Sequence, residues 1–373
     1  MNRQNLLKPW LMKRPLRRIL IALFLFLLDG LGMWLFPKAS DLFFPAYRSF
    51  SKVWIAFLAA VSSVSPYSLW DIGALLLIVL LIGSFIHVLR RKKSLLNWVS
   101  IVFLCVSLLC FEATGGWLLN HYAPSLGSEI ALPVREYSKE ELAAATETYL
   151  LKAAEYAPLT ERDEEGKAVI TDISAVAQKA GASYGPLTER YPIFKGSQRA
   201  VKRFSLIGEY LMYNGIIGMF MPITGEASVP SSVPPVPLPF TMCHEAAHRL
   251  GIASEQEANF AAFLACLETD DPQFLYSGYS SAFAYCFSSL YEIDPKLGYE
   301  LYHRYDDLPG VQLVQRDRQD TSAVYDSYAS SLKEVSDQVN DAYLKTFSEE
   351  SGIRSYGEVT DYLIAWYLEE MKE

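Results

Sequence analysis

Three long apolar segments lie in the first third of the chain, at residues 19–36, 69–89 and 98–119. Each approaches or exceeds the roughly 17–25 residues that an α-helix needs to cross a hydrocarbon core about 30 Å thick. The first segment follows a basic stretch, as in a signal peptide, but it is long for that role and lacks a small-residue cleavage site. We therefore predict a membrane anchor of three transmembrane helices within residues 1–120.

Two clusters of basic residues predict the orientation of this anchor. One, from Lys8 to Arg18, precedes the first segment, and the other, Arg90 to Lys93, separates the second from the third. Because basic residues concentrate on the cytoplasmic side, three spans put everything after about Asn120 outside the cytoplasm. Residues 42–65 would also lie outside. Their apolar part, Val53 to Val64, is too short to span, so we expect it to lie in the membrane interface.

Residues 121–373 show mostly helical periodicity and are predicted to form an extracytoplasmic domain. A helix is predicted after Ser138, because Ser138 and Glu141 match a capping box. Further helices are predicted at 170–182, 317–347 and 356–371, whereas five prolines between residues 229 and 239 exclude regular structure there. The predicted fold class is mainly α, with minor β structure, following the three-helix anchor.

Residues 204–223 have the length of a fourth span. A fourth span would return the C-terminal domain to the cytoplasm. The segment includes Glu209, Asn214 and three glycines, and such polar residues are costly at the bilayer centre. We therefore favour a buried helix of the outer domain or a segment that dips into the membrane.

The charges divide the chain at the same place. Up to Leu119 there are 13 Lys and Arg residues against 4 Asp and Glu, and the remainder has 20 against 38. The acidic remainder argues against binding nucleic acid, because phosphates are met by Lys and Arg. Only 20% of all residues are charged, below the roughly 25% of an ordinary soluble protein, which agrees with a chain partly in lipid. Three cysteines outside the anchor cannot all pair, so no disulfide scaffold is expected.

A His-Glu-x-x-His sequence is the strongest indication of chemistry. On a helix, His244 and His248 lie one turn apart on the same face, so both imidazoles can bind one zinc ion. Glu245 lies to the side, where it can accept a proton from water whose pKa zinc has lowered. The helix is predicted to begin near Phe240 and to end at Gly251. The alternative is a helix with two incidental histidines.

A second helix, predicted to begin at Ser254, supplies candidates for a third ligand. A catalytic zinc is typically held by three protein ligands, and a carboxylate can be the third. Glu255 and Glu257 are both available. Glu257 stands three residues after Ser254, where it would complete a capping box, so we prefer Glu255 as the ligand.

The residues around this motif resemble an uncharacterised bacterial membrane family, catalogued as domain of unknown function 3810. The likeness rests on Thr224-Gly225-Glu226-Ala227, Leu238-Pro239-Phe240-Thr241, the His-Glu-Ala-Ala-His itself, Glu255-x-Glu257-Ala258-Asn259-Phe260, Leu264-Ala265-Cys266 and Ser277-Gly278-Tyr279. The Glu-x-x-Ala-Asn pattern is also similar to one in gluzincins, where the first Glu, here Glu255, is the third zinc ligand. The resemblance implies a zincin-like metallopeptidase of the bacterial cell membrane.

Other residues near the motif have two possible roles each. Gly225 to Val229 is either a short strand along which a peptide substrate could pair or a plain connecting loop. Tyr279, Tyr285 and His303 are candidate hydrogen-bond donors to an oxyanion, although aromatic residues at helical spacing usually belong to the core. Cys243 is predicted to be a packing residue.

The sequence thus predicts a multi-pass membrane protein whose outer domain hydrolyses peptide bonds with metal-activated water. Glu245 is the predicted catalytic base. The predicted Zn²⁺ ligands are His244, His248 and Glu255. The expected partners are membrane lipid and a peptide or protein of the cell envelope. The alternative is a catalytically inactive zinc-binding or scaffold protein of the cell envelope. A transporter using Asp29 and Glu112, two acids within the spans, is less favoured because three spans form a thin pathway.

Overall fold

The computed structural model describes residues 4–330, 338 and 355–371, and this part of the chain is mainly helical. Its α-helices are α1 (Gln4–Leu35), α2 (Ser40–Ser62), α3 (Leu69–Arg90), α4 (Leu95–Gly116), α5 (Leu126–Glu129), α6 (Lys139–Tyr156), α7 (Ile173–Ala182), α8 (Leu187–Arg190), α9 (Gly208–Tyr213), α10 (Leu238–Arg249), α11 (Glu255–Leu267), α12 (Pro272–Ile293), α13 (Pro295–His303), α14 (Pro309–Ser327) and α15 (Ser355–Trp366). Its strands are β1 (Lys202–Arg203), β2 (Met219–Met221) and β3 (Glu226–Val229).

Three helices in the described part of the chain are long and apolar enough to cross a membrane: Arg14–Ala39, Leu69–Arg90 and Leu95–Tyr122. They coincide with the three apolar segments predicted from the sequence, and they suggest that the protein associates with a membrane. α1 packs along α4, where the rings of Phe26 and Phe103 lie 5.5 Å apart. Many large apolar side chains of these helices are exposed, which is the pattern that lipid contact requires.

Helices are confirmed after Ser138 and in the segments predicted at 170–182 and 356–371, whereas the helix predicted at 317–347 has different bounds. α6 begins with the predicted capping box, in which the Ser138 hydroxyl accepts from the N–H of Glu141 and the Glu141 carboxylate accepts from the N–H of Ser138. α7 lies within the segment predicted at 170–182, and α15 begins one residue before the segment predicted at 356–371. α14 begins at Pro309, eight residues before the predicted helix 317–347, because proline is well suited to the first turn of a helix. It ends at Ser327, so the prediction is wrong for residues 328–330, and residues 331–337 and 339–347 lie outside the described residues.

α11 supports the core of this part of the molecule. All its residues from Ala258 to Cys266 are buried, and it packs against α10, α12 and α15. The ring of Phe263 meets Tyr149 of α6 edge-on at 5.6 Å, and Phe260 lies 5.2 Å from Tyr362 of α15. Burying an apolar side chain of this size contributes about 1.5–3 kcal/mol, so α11 is firmly held. Its first residue, Glu255, projects from this fixed support.

The small sheet packs against α10. β3 lies at its centre, parallel to β1 and antiparallel to β2, with Ala227 opposite Phe220. Of the two possibilities left open for residues 225–229, a strand and a connecting loop, the structure has the strand at Glu226–Val229. Because this strand is paired on both sides, it cannot accept a substrate strand. Within the described residues, β2 has a free edge instead.

Residues 204–223 do not form one helix, so the expectation of a single buried helix is wrong. The segment contains the short α9, a turn and β2. Gly215 has a φ of +75°, a left-handed conformation that stops α9 after six residues. Pairing of Met219–Met221 with β3 then satisfies backbone groups that a helix would have bonded internally. The segment is also not among the helices that could span a membrane in the described chain.

The first turn of α3 is bound to the sheet by two buried carboxylates. Glu226 of β3 accepts hydrogen bonds from the N–H groups of Leu69 at 2.9 Å and Trp70 at 2.8 Å. In the opposite direction, Asp71 of α3 accepts from the N–H groups of residues 205–207. Such acceptors satisfy N–H groups that have no intrahelical partner at a helix start. The end of an apolar helix and the sheet are thus joined as one unit.

Candidate metal centre

α10 carries the His-Glu-x-x-His sequence, and proline and glycine determine where it begins and ends. Pro237 precedes the helix and Pro239 lies in its first turn, where a missing N–H costs no intrahelical bond. Beyond the helix the chain turns at Gly251, whose φ of +88° is accessible mainly to glycine. The turn lets α11 fold back against α10. The predicted beginning at Phe240 is two residues late, and the predicted turn at Gly251 is confirmed.

The structure brings the three predicted ligands together. The Nε2 atoms of His244 and His248 are 3.0 Å apart. The carboxylate oxygens of Glu255 lie 3.2 Å from the first and 3.7 Å from the second of these nitrogens. One ligand atom from each residue lies within 4.8 Å of the others. Two imidazole nitrogens and a carboxylate oxygen are the donor set of one class of catalytic zinc sites, and ligation by them remains a prediction.

The imidazole of His248 is held from two sides. Its Nδ1 lies 2.8 Å from the carbonyl oxygen of Ile252, and since a carbonyl can only accept, Nδ1 carries the proton. Nε2 is therefore the nitrogen that faces Glu255. The indole N–H of Trp117 donates to the main-chain carbonyl of His248 at 2.8 Å, and the two rings meet edge-on. Trp117 is not among the predicted site residues, because its position at the end of an apolar segment indicated only a membrane span.

Glu245 is buried beside these residues. It is 5% exposed, and its Oε2 atom has no hydrogen-bond partner among the described residues. Burial raises the pKa of Glu245 to about 7; the adjacent imidazoles oppose this rise, and the charge of Glu255 adds to it. A carboxyl group with a pKa near neutrality can both accept and release a proton at physiological pH.

The segment before β2 covers this carboxylate. A Cβ atom on Gly218 would lie 2.2 Å from Oε1 of Glu245, so the close approach requires glycine. The sequence showed Gly218 only as one of three glycines in 204–223. Nothing local indicates its role, because the contact joins two segments that are distant in the chain.

The pKa values of Glu255 and His248 are shifted in opposite directions by their mutual interaction. Burial alone would raise the pKa of Glu255, but His248 and His244 together hold it well below its usual range. Burial alone would lower the pKa of His248, but the charge and hydrogen bond of Glu255 raise it to about 9. The position between the imidazole and the carboxylate therefore favours positive charge. A metal ion bound there would displace the proton from Nε2 of His248.

Glu257 has a structural role, although not the one predicted. The proposed capping box is wrong, because Ser254 makes no side-chain cap and its hydroxyl has no partner among the described residues. The Glu257 carboxylate instead accepts hydrogen bonds from the N–H of Leu126 at 2.7 Å and from the hydroxyl of Tyr362 at 3.0 Å. These bonds join α11 to α5 and α15, so tertiary partners have replaced the local cap.

Of the predicted oxyanion donors, Tyr285 is the one near the metal residues. Burial raises its pKa, and the charge of Glu255 raises it further, so the two groups interact electrostatically. Tyr325 of α14 also interacts with Tyr285, and its buried hydroxyl lacks a hydrogen-bond partner among the described residues. The periodicity of α14 gave no indication that Tyr325 approaches this site.

The remaining candidate residues, Tyr279, His303 and Cys243, make structural contacts. The ring of Tyr279 stacks on Tyr156 at 5.8 Å in the aromatic core. His303 of α13 is bonded to Asp306 at the surface. Cys243 is buried, and its sulfur lies 3.9 Å from that of Cys266, in agreement with the predicted packing role.

Comparisons with known proteins identify a family and no individual relative. No match was found among curated proteins or among solved structures. A family model with the description "Protein of unknown function (DUF3810)" matches residues 47–364, from within α2 to within α15. The chain belongs to this family, DUF3810.

Proposed function

We propose that this chain is a membrane-anchored zinc metallopeptidase whose zincin-like domain, residues 121–373, lies outside the cytoplasm. The observation that carries the proposal is the meeting of His244, His248 and Glu255 beside the buried carboxylate of Glu245. Three such ligands and an adjacent general base are the components that metal-assisted peptide hydrolysis needs.

The residues present suit zinc. The hydrogen bond from Nδ1 of His248 to Ile252 orients the ring so that Nε2 faces the position of the ion, as outer hydrogen bonds do for histidine ligands generally. Glu255 projects from the well-packed α11, so the backbone that carries its carboxylate is already fixed before a metal ion binds. When bound, zinc would polarise the substrate carbonyl and lower the pKa of water.

Proton transfer would be the task of Glu245. Its Oε2 atom would accept a proton from the attacking water and then deliver it to the nitrogen of the leaving amine. The cover formed at Gly218 keeps this carboxylate away from bulk water, which accounts for its raised pKa. The hydroxyl of Tyr285 is our candidate donor to the carbonyl oxygen as negative charge develops.

The free edge of β2 is our candidate for substrate binding. β2 follows directly after Gly218 and packs against α10. An extended peptide that pairs with β2 would gain main-chain hydrogen bonds and would run past the catalytic carboxylate.

Metal removal tests the proposal directly. The full chain, purified in detergent, is expected to contain about one zinc ion, and 1,10-phenanthroline should abolish hydrolysis of a denatured protein substrate. Added zinc should restore it, because the ligands come from firmly packed helices. Metal analysis and a fluorescence-quenched casein assay measure both properties. Hydrolysis that survives zinc removal would contradict the proposal, and zinc without hydrolysis of any peptide would favour an inactive zinc-binding scaffold of the envelope.

Cysteine labelling tests the proposed orientation. In a background with Cys105→Ala and Cys110→Ala, an impermeant maleimide is expected to label Glu164→Cys in intact cells. It should label Lys93→Cys only after lysis. Both positions are exposed, so accessibility depends on the side of the membrane. Labelling of Lys93→Cys in intact cells, with Glu164→Cys protected, would reverse the orientation.

A further inference from the structure

The exposed face of α2 has the wrong polarity for contact with water. α2 is a single helix of 23 residues and is not among the membrane-spanning candidates of the described chain. Large apolar side chains recur along one side of it, each more than half exposed. They are Leu42, Phe43, Phe50, Val53, Phe57 and Val61. We call these six residues the apolar face of α2. An apolar stripe of this length marks a docking surface.

The basic side chains of α2 point in the opposite direction. Between Leu42 and Ser62 the charged residues are Arg48 and Lys52. Arg48 makes two hydrogen bonds with Glu129, at 2.9 and 3.1 Å. Lys52 donates to main-chain carbonyls of the 193–195 segment. These contacts fix the rotation of the helix, so its apolar face cannot turn inward.

Both ends of α2 connect to membrane-spanning candidates. Residues Phe36–Ala39 join it to α1, and about six residues join it to α3. At 1.5 Å per residue, α2 is about 34 Å long. Each of its two ends is connected to an apolar helix. The apolar face therefore continues directly from surfaces that are themselves expected to contact lipid.

We propose that the apolar face of α2 lies in the lipid of the outer leaflet, with the helix axis along the membrane surface. Its occupant is the region where acyl chains meet headgroups, the usual position of an amphipathic helix that lies on a membrane. This inference rests on the membrane anchor of the proposed function and does not depend on the peptidase activity.

α2 also supports the strands beside the metal centre. Gly225, in the turn between β2 and β3, has a φ of +65°. A Cβ atom there would lie 2.7 Å from the N of Ala59 and 2.8 Å from the O of Ile55. The turn thus rests directly on the inner side of α2. Since β2 spans only about 10 Å, the segment that covers Glu245 is held close to the lipid surface.

Fluorescence quenching at single cysteines tests this position. The full chain with Cys105→Ala and Cys110→Ala would carry an environment-sensitive fluorophore at Val53→Cys, with Phe57→Cys as a second site. Leu80→Cys, on the exposed side of α3, marks the membrane interior, and Glu164→Cys marks water. The protein is reconstituted in phosphatidylethanolamine–phosphatidylglycerol vesicles that contain nitroxide lipids labelled near the headgroup or near the chain end.

The expected result is an intermediate depth for α2. Fluorophores at Val53 and Phe57 should be quenched more by the shallow nitroxide, that at Leu80 more by the deep one, and that at Glu164 by neither. If both α2 sites behave like Glu164 while Leu80 is quenched by lipid, the anchor stands and this inference is wrong. If Leu80 is also unquenched, the membrane anchor itself is wrong. Deep quenching at Val53 would mean that α2 crosses the membrane.

Discussion

Glu245→Gln is expected to lower peptide hydrolysis by about 10²- to 10⁴-fold while leaving the zinc content near that of the wild type. Glutamine has the shape of glutamate but cannot accept the proton of the attacking water. The buried position of Glu245, against Gly218, leaves room for an isosteric replacement and little else. Zinc content and hydrolysis, measured on the same preparation, separate the two properties.

His248→Ala provides the comparison for this variant. It should lose both zinc and activity, because it removes a predicted ligand together with the hydrogen bond to Ile252. A Glu245→Gln protein that loses zinc as completely as His248→Ala would contradict the assignment of Glu245 as a base. Unchanged hydrolysis in Glu245→Gln would also contradict it.

Glu255→Ala is expected to weaken zinc binding by more than about 100-fold, whereas Glu257→Ala should leave it nearly unchanged. Loss of an outer hydrogen-bond partner alone costs about 10- to 100-fold in metal affinity, and loss of a ligand should cost more. Glu257→Ala instead removes the bonds to Leu126 and Tyr362, and we expect it to lower the free energy of unfolding by about 1.5–3 kcal/mol.

The two glutamates form a matched pair, since both lie in the first turn of α11 and the same substitution is made in each. Competition with a fluorescent chelator measures zinc affinity, and thermal unfolding measures stability. The opposite pattern, with Glu257→Ala losing zinc and Glu255→Ala retaining it, would exclude the proposed ligand set but leave zinc binding open.

The parts of the structure that could be predicted depend on short-range spacing. Residues four apart on a helix share a face, which is why His244 and His248 could be assigned to one site before the fold was known. Glu255 follows the turn at Gly251 by a few residues, so its position near the imidazoles could also be predicted from the local sequence. The three apolar helices could be predicted from segment length and hydropathy alone.

The features that were missed depend on contacts between distant segments. Gly218 covers Glu245, and Trp117 supports His248, yet neither lies in a motif. The capping box at Ser254 failed because a backbone N–H from another element, that of Leu126, bonds the Glu257 carboxylate instead. Local preference predicts what a side chain can do, and tertiary packing selects among the options.

The reciprocal bonds at the start of α3 have a consequence for the order of synthesis. Glu226 follows Trp70, whose N–H it accepts, by 156 residues. At about 5–20 residues per second, Trp70 is synthesised about eight to thirty seconds before that acceptor exists. For most of that interval Asp71 also lacks the N–H donors of residues 205–207. The start of this apolar helix thus gains its hydrogen-bond partners from segments made much later, so a chain truncated before residue 205 would leave the buried carboxylate of Asp71 without those donors.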